Sequence, residues 1–229
     1  MMKLTLIRHG QSEWNNLNLF TGWEDVRLTE QGIEEAKKAG QALKALDIPF
    51  ETVYTSVLSR AIQTTYYVLS EADRLYLPVT KAWQLNERHY GGLQGLNKAE
   101  TAEKYGDEQV HIWRRSFDVT PPNADEGAHD VLTHDPRYKG VNPSLIPYTE
   151  SLKITMERTL PYFDSDIAPR IKAGENVLIV AHGNSLRSLI KTFENISDED
   201  IPQLEIATGV PIIYDIDEAL NVVDKHVVR

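Results

Sequence analysis

Two apolar stretches of this chain end in the same way, with a histidine followed by a glycine. LIRHG, residues 6–10, closes one run, and IVAHG, residues 179–183, closes the longer run NVLIVAHG. A continuously apolar run is typical of a central parallel strand that is covered on both faces. Ligands of open α/β sheets collect at the carboxyl ends of such strands. We therefore predict two buried strands whose ends bring His9 and His182 into one crevice.

The segments between these two strands alternate between helical and strand patterns. ETVYTS, residues 51–56, is a predicted strand, and LSRAIQTTYYVL is a predicted helix directly after it. SLRSLIKTF predicts a helix after the second His-Gly pair, and VPIIYDI predicts a further strand. Thr29 is a suitable N-cap for an earlier helix, whose apolar face is Ile33, Ala36, Leu43 and Leu46. This alternation predicts an α/β fold with a mainly parallel sheet flanked by helices.

Residues 83–150 interrupt the alternation. They contain a helical pattern, NKAETAEKY, and then a proline-rich loop over residues 118–147, which is typical of a lid or a binding loop. The helix expected after Thr149 should be kinked or split at Pro161. With 229 residues, we predict a single domain, 1–229, that carries a helical and loop insertion at about 83–150.

Charge and composition exclude several classes of function. The net charge of −10 opposes binding to nucleic acid or to an anionic membrane. The sequence has no apolar segment of membrane-spanning length and no signal peptide. It also has no cysteine, which excludes disulfides and thiolate chemistry. We expect a cytoplasmic protein with no nucleic-acid and no membrane partner. An anionic small molecule would bind only where cations are gathered.

Such a gathering is predicted at the strand ends. Arg8 precedes His9, and Arg60 follows the strand at 51–56. Guanidinium groups bind phosphate oxygens in paired hydrogen bonds. Further candidates are Arg114 and Arg115, the neutral donors Ser12, Asn15 and Asn184, and Gly10 and Gly183, which allow close approach of a ligand. Taken singly, each histidine could be structural, and Arg60, Arg114 and Arg115 could be solvated at the surface.

An imidazole among phosphate-binding cations points to covalent phosphoryl transfer. An unperturbed histidine is mostly neutral at pH 7, so one ring nitrogen is a free nucleophile, here that of His9. Glu87, in LNERHYGGLQG, is the candidate acid, provided that burial or a bound phosphate keeps its proton available. Its local sequence alone fits a surface glutamate better. We predict no metal, because HExxH and cysteine ligands are absent, and the glycine-rich nucleotide-binding motifs are absent too.

Six segments, in order between about Lys3 and Asp224, closely resemble the cofactor-dependent phosphoglycerate mutases of the histidine phosphatase superfamily. They are RHGQSEWN, FTGWEDVRLTEQG, YTSVLSRAIQT, LNERHYGGLQGLNKAETAEKYG, WRRSFDV and AHGNSLR. The RHG element marks only the superfamily, whereas FTGW, ERHYGGLQGLNK and WRRSFD are more specific. The resemblance implies a three-layer α/β sandwich and an isomerase that interconverts 3-phosphoglycerate and 2-phosphoglycerate in glycolysis and gluconeogenesis. It also implies 2,3-bisphosphoglycerate as the phosphoryl primer, no metal, and a homodimer or homotetramer.

The resemblance also assigns roles to residues. It implies that His9 is the phosphorylated nucleophile and Glu87 the proton donor and acceptor, and that His182, Arg8 and Arg60 stabilise the transferring phosphoryl group. The implied substrate-binding residues are Arg8, His9, Gly10, Gln11, Ser12, Glu13, Trp14, Asn15, Thr21, Gly22, Arg60, Glu87, Arg88, His89, Tyr90, Lys98, Arg114, Arg115, Gly183 and Asn184.

Two features depart from the family pattern. Asn16 and Leu17 stand where many relatives have a Lys-Glu pair, and many relatives continue beyond the last strand, whereas this sequence stops at Arg229. Both departures predict weaker retention of the bisphosphate. Two other hypotheses therefore remain beside the mutase: a phosphatase of the same superfamily that hydrolyses phosphate esters, and a non-catalytic module that binds a phosphorylated ligand.

Overall fold

The computed structural model of the chain describes residues 1–228, and Arg229, the last residue of the predicted domain, lies outside them. Each strand predicted from the sequence is present. The strands are β1 (Met2–Arg8), β2 (Thr52–Thr55), β3 (Val79–Lys81), β4 (Val177–Ala181), β5 (Ile212–Ile216) and β6 (Val222–Val227).

These strands form one mixed sheet in the order β3-β2-β4-β1-β5-β6. The first four of these are parallel, whereas β5 runs antiparallel to β1, and β6 antiparallel to β5. In the centre, β1 lies beside β4 with Arg8 opposite Ala181. The residues that follow, His9 and His182, therefore emerge side by side from the carboxyl edge of the sheet. The prediction of a mainly parallel sheet is confirmed.

Helices cover both faces of the sheet. The α-helices are α1 (Glu13–Asn16), α2 (Glu30–Ala45), α3 (Ser59–Glu71), α4 (Lys98–Tyr105), α5 (Asp107–Arg115), α6 (Glu126–Thr133), α7 (Leu152–Tyr162), α8 (Ala168–Lys172) and α9 (Gly183–Phe193). Residues of α2 and α3 share one apolar cluster with Ile7 of β1, and residues of α8 and α9 share another with Leu4 and Leu6. The alternation of side chains along β1 thus feeds two cores, one on each face, as in a three-layer sandwich. No helix among residues 1–228 is both long and apolar enough to cross a membrane.

The helix predicted after Thr29, α2, begins as predicted. The Thr29 hydroxyl accepts a hydrogen bond of 3.1 Å from the Gly32 N–H, which makes Thr29 the N-cap. Ala36 and Leu43 are buried in the predicted face. Leu46 is 55% exposed, so the prediction that it belongs to this face was wrong. Leu46 follows the last helical residue, where the apolar stripe no longer faces the sheet.

The proline-rich segment is more ordered than a loop. It contains α6 and two 3₁₀ turns, Pro136–Tyr138 and Pro143–Leu145. Tyr138 is 2% exposed and stacks on Trp23, with 5.0 Å between the ring centroids, so the segment is docked on the rest of the chain. The prediction of a continuous loop was wrong.

The long helix after Thr149 is not split at Pro161. It runs through this residue as α7, changes to π-helical hydrogen bonding over Phe163–Ile167, and continues into α8. Proline lacks the N–H that an α-helix needs in its interior, and the altered hydrogen-bonding pattern begins two residues after it.

Candidate active site

A cavity of about 470 Å³ opens at the carboxyl ends of β1 and β4. Most residues implied by the resemblance line it. These are Arg8, His9, Asn15, Thr21, Gly22, Arg60, Glu87, Tyr90, Lys98, Arg114, Arg115, Gly183 and Asn184. The sequence analysis did not identify the remaining lining residues, which are Phe20, Arg187, Leu204, Glu205, Ile206, Ala207 and Thr208.

The two strand-end histidines meet as predicted. Their ring centroids lie 4.9 Å apart with an interplanar angle of 61°, and both residues are buried. The pairing of β1 with β4 continues past the strands, since the His9 N–H donates to the Ala181 carbonyl at 2.9 Å. The shared register of two parallel strands thus brings together two residues that are 173 positions apart.

The ring of His9 is neutral and has one free nitrogen. Burial, and then the nearby charges of Arg60 and Arg8, hold the pKa of His9 well below 6.5. Its Nδ1 lies 2.7 Å from the Gly10 carbonyl oxygen. A carbonyl oxygen only accepts hydrogen bonds, so Nδ1 carries the ring proton and Nε2 keeps its lone pair. A ring in this state can act as a nucleophile without a separate base.

His182 is also held neutral. Burial lowers its pKa well below 6.5, with further lowering from the charges of Arg60 and His9. Its Nε2 lies 2.7 Å from the Ser56 hydroxyl oxygen, and its Nδ1 is buried without a hydrogen-bond partner among residues 1–228. His182 does not itself line the cavity and stands against the His9 ring.

Arg60 lies inside the protein, so the interpretation of it as a solvated surface arginine was wrong. It is 1% exposed and donates to the carbonyl oxygens of Glu24 and Gly22, at 2.8 and 2.7 Å. Burial lowers its pKa to about 10, so the guanidinium is still charged at neutral pH. These bonds fix the turn at Gly22, whose φ of +55° suits glycine, and this turn forms part of the cavity wall.

Two more arginines reach the cavity. Arg8 donates from Nη1 to the Ile206 carbonyl at 2.8 Å, while its Nε is buried without a partner among the described residues. Arg187, which the sequence analysis missed, donates to the Asn184 side-chain oxygen at 3.1 Å, and burial lowers its pKa to about 10. Its position in α9, one helical turn after Asn184, is the signal that could have identified it.

Glu87 is buried, so the interpretation of it as a surface residue was wrong. It is 8% exposed, and its Oε1 accepts hydrogen bonds from the backbone N–H groups of Arg88 and Asn184, at 2.8 and 3.0 Å. Its Oε2 has no hydrogen-bond partner within residues 1–228 and would lie 3.6 Å from a Cβ placed on Gly183. One oxygen is thus anchored, and the other can exchange a proton with a ligand.

A cationic rim surrounds the cavity on this acidic protein. It consists of Lys98, Arg114 and Arg115. Burial, and then the charges of Arg114 and Arg8, lowers the pKa of Lys98 to about 8. Arg115 pairs with Glu205 across 2.7 Å. Together with Arg8, Arg60 and Arg187, these groups supply the local positive field that an anionic ligand requires.

Several residues implied by the resemblance do not line the cavity. They are Gly10, Gln11, Ser12, Glu13, Trp14, Arg88, His89 and His182. Arg88 is fully buried and donates to backbone carbonyl groups, including that of Glu150 at 2.7 Å. Burial lowers the pKa of His89 to about 4, and its Nδ1 accepts from the Gly91 N–H. The contacts of these two side chains are with the scaffold around the cavity.

Gly10 has a reason to be glycine other than the approach of a ligand. A Cβ on Gly10 would lie 2.1 Å from the Gly32 carbonyl oxygen, and its N–H donates to the Thr64 hydroxyl. The close contact with α2 therefore requires a residue without a side chain at this position.

The proline-rich segment contributes no residue to the cavity lining. The structure therefore gives it no part in the wall of the cavity. Among residues 1–228, no group of three or more histidine, aspartate or glutamate side chains is placed to hold a metal ion.

A family model described as the histidine phosphatase superfamily (branch 1) matches residues 4–228. The chain belongs to this superfamily, whose characteristic RHG element lies at the end of β1. A protein from Lactobacillus acidophilus named 2,3-bisphosphoglycerate-dependent phosphoglycerate mutase is 57% identical over 226 residues, covering 99% of this chain and 98% of the relative. A Lactiplantibacillus plantarum protein, named as mutase 2 of the same kind, is 58% identical with the same coverage.

Solved structures share the fold. The Bacillus stearothermophilus YhfR structure has a TM-score of 0.72 at 25% identity and covers 97% of this chain and 94% of its own. A phosphoglycerate mutase structure from Bacillus anthracis has a TM-score of 0.67 at 23% identity, with coverages of 93% and 88%. These likenesses confirm the predicted α/β sandwich.

Proposed function

We propose that this protein is a 2,3-bisphosphoglycerate-dependent phosphoglycerate mutase, which interconverts 3-phosphoglycerate and 2-phosphoglycerate through a phosphohistidine in glycolysis and gluconeogenesis. The observation that carries the proposal is the pairing of a neutral His9, with Nε2 free, and a Glu87 with Oε2 free, in one cation-lined cavity. The curated relatives that are 57–58% identical over almost the whole chain support the same activity.

The residues of the cavity suit a ligand that carries two phosphates and a carboxylate. Arg8 and His182 each have a buried nitrogen without a partner among the described residues, as expected of groups that await a phosphoryl oxygen. Lys98, Arg114 and Arg115 stand on the rim, where they would hold the other anionic groups. When bound, 2,3-bisphosphoglycerate supplies the phosphoryl group that primes His9.

The proposed reaction uses two side chains in turn. In the first step the N–P bond of phosphorylated His9 breaks, its electron pair returns to Nε2, and the phosphorus forms a bond to the free hydroxyl oxygen of the bound monophosphoglycerate. Glu87 Oε2 takes the proton of that hydroxyl. In the second step Nε2 attacks the other phosphate, and Glu87 returns the proton to the leaving oxygen.

The electrostatic surroundings favour this transfer. Arg8 and Arg60 place fixed positive charge beside His9, where the negative charge of the transferring group is spread over its oxygens. The buried setting strengthens these interactions relative to water.

Phosphorus NMR of purified protein with 3-phosphoglycerate and a trace of 2,3-bisphosphoglycerate tests the proposal. We expect the 2-phosphoglycerate signal to grow, and mass spectrometry to locate an acid-labile phosphate on His9. The His9→Ala variant should form neither 2-phosphoglycerate nor the acid-labile phosphate, while keeping its fold. Release of free phosphate without 2-phosphoglycerate would identify a phosphatase. If neither turnover nor phosphorylation of His9 were observed, the protein would be a non-catalytic binding module.

The remaining expectations are part of the same proposal. We propose phosphoglycerates as the partners, without nucleic acid or membrane, a single domain over residues 1–229, a cytoplasmic location, and a homodimer or homotetramer. Light scattering on the purified protein decides the last of these.

A further inference from the structure

Ser56 contacts the ring of His182, the second histidine of the site, from outside the cavity. It directly follows β2, is fully buried, and places its hydroxyl oxygen 2.7 Å from Nε2 of His182. Ser56 does not line the cavity and was not among the predicted site residues. Neither the resemblance nor the proposed mechanism gives it a role.

The direction of this hydrogen bond follows from counting protons. The Ser56 oxygen already accepts a hydrogen bond of 3.1 Å from the Leu58 N–H. Its single proton has only one acceptor among residues 1–228, Nε2 of His182. A proton on Nε2 instead would leave the Ser56 proton without an acceptor among the described residues. A buried hydroxyl proton without an acceptor is destabilising, so the bond runs from Ser56 to His182.

This direction determines which nitrogen of His182 carries the ring proton. With Nε2 accepting, a neutral imidazole must hold its proton on Nδ1. Nδ1 is the atom that is buried without a partner within the described chain, and its ring stands 4.9 Å from the His9 ring. Among the described residues no group accepts a hydrogen bond from this N–H, which stands beside the His9 ring.

We propose that Ser56 is a positioning residue for phosphoryl transfer: it holds His182 in the Nδ1–H form, so that the ring offers a hydrogen bond to the phosphoryl oxygens that pass to and from His9. The role of Ser56 in phosphoryl transfer rests on the proposed function, whereas the position of the proton on His182 does not. The His182 proton stays on Nδ1 throughout, while the N–P bond to His9 forms and the P–O bond of the substrate breaks. The other tautomer would present a lone pair to the same oxygens and repel them.

Nitrogen NMR of histidine-labelled protein without substrate tests the proton position. In the wild-type protein we expect His182 to show a protonated Nδ1 and an unprotonated Nε2. In Ser56→Ala, both tautomers should be populated, whereas Ser56→Thr, which keeps the hydroxyl, should retain the wild-type pattern. Ser188→Ala is the matched control, because it removes a buried hydroxyl from α9 whose one hydrogen bond among the described residues is to the Asn184 carbonyl.

Rapid-quench phosphorylation of the same variants by 2,3-bisphosphoglycerate tests the consequence. Ser56→Ala should lower the rate of His9 phosphorylation by about tenfold, which is less than the roughly 10²–10³-fold loss caused by removing a whole transition-state donor. The Kd for 2,3-bisphosphoglycerate should change little, and Ser56→Thr and Ser188→Ala should react like the wild type.

Two results would overturn the proposal. One is a wild-type His182 protonated on Nε2, which is measurable even if Ser56→Ala does not fold. The other is a Ser56→Ala variant with a changed tautomer and an unchanged phosphorylation rate. If no variant or wild-type protein forms phosphohistidine, the proposed function fails together with the transfer role, while the predicted tautomer is still judged by its own spectrum.

Discussion

The backbone N–H of Asn184 donates a hydrogen bond of 3.0 Å to Oε1 of Glu87. This bond joins the insertion to the first turn of α9, the helix that His182 caps. It anchors one carboxylate oxygen and leaves Oε2 for the ligand. The proposed proton carrier is thus positioned by the same strand end that supplies the second histidine.

Glu87→Gln should remove proton exchange while keeping the shape of the side chain. We expect kcat to fall by about 10²–10⁴-fold, with a much smaller change in KM, since the amide still accepts from the Asn184 N–H but cannot act as a base. Steady-state kinetics with 3-phosphoglycerate measure both constants. Glu103→Gln, at an exposed position of α4, is the control. Equal losses in kcat and in substrate affinity would assign Glu87 to binding instead.

Arg60→Ala should weaken phosphoryl transfer strongly, because it removes a buried cation beside His9. Loss of one donor of this type costs about 10²–10³-fold in kcat. The kcat of Arg60→Lys should lie between those of Arg60→Ala and the wild type. Lysine keeps the charge but lacks the paired donors that bind the carbonyl oxygens of Gly22 and Glu24. Arg27→Ala, at an exposed position, is the control. Kinetics of Arg60→Ala that match the wild type would place this residue outside the transfer step.

His9 should stay neutral well below pH 6.5. Burial and the charges of Arg60 and Arg8 depress its pKa, so its reactive form persists as the pH falls. Nitrogen NMR titration of histidine-labelled protein checks this against the peptide LTLIRHGQS, in which the same residue should titrate near its ordinary value of about 6.5. A midpoint in the folded protein equal to that of the peptide would contradict the prediction.

Affinity for 2,3-bisphosphoglycerate should fall as the pH rises through about 8. The pKa of Lys98 is lowered to about 8 by burial and by neighbouring arginines, so alkaline pH removes a positive charge from the rim. Titration calorimetry between pH 7 and about 9 measures the effect. Lys98→Arg should bind with a flatter profile, because guanidinium stays charged, and Lys98→Met should bind about tenfold more weakly at neutral pH. If the affinity of Lys98→Arg depended on pH as that of the wild type does, the loss of the Lys98 charge would not be the cause of the pH dependence.

Glu150→Gln should destabilise the protein by about 3–5 kcal/mol, because it leaves the buried Arg158 without its counter-charge. Burial alone would raise the pKa of Glu150, but Arg158 and the His89 amide together hold it below its usual value. The stabilisation is therefore present above pH 4.5 and is lost as the pH falls through the folded-state pKa.

Urea unfolding at pH 7 and at acidic pH measures this effect, with Glu157→Gln, exposed on the same helix, as the control. We expect the difference between wild type and Glu150→Gln to shrink at acidic pH. A difference independent of pH would show that the ionised carboxylate is not the source of the stability.

The central strands and the meeting of the two histidines could be predicted because their signals are local. The apolar runs around Ile7 and Ile179 predict buried strands, and the rule for strand ends brings their histidines together. The strands β3 and β6 were missed because they are edge strands with mostly exposed residues, so their sequences carry no apolar run.

The chemistry of the site, by contrast, is set by contacts between residues far apart in the chain. The sequence by itself determined which groups are available: two imidazoles, a carboxylate and a set of guanidinium groups. Only the tertiary structure decided that Arg60 is buried against backbone carbonyls, that Arg187 reaches the cavity, and that Ser56 faces His182. Burial and hydrogen-bond direction depend on every element packed around a side chain, and neighbours in sequence make up only a small part of that packing.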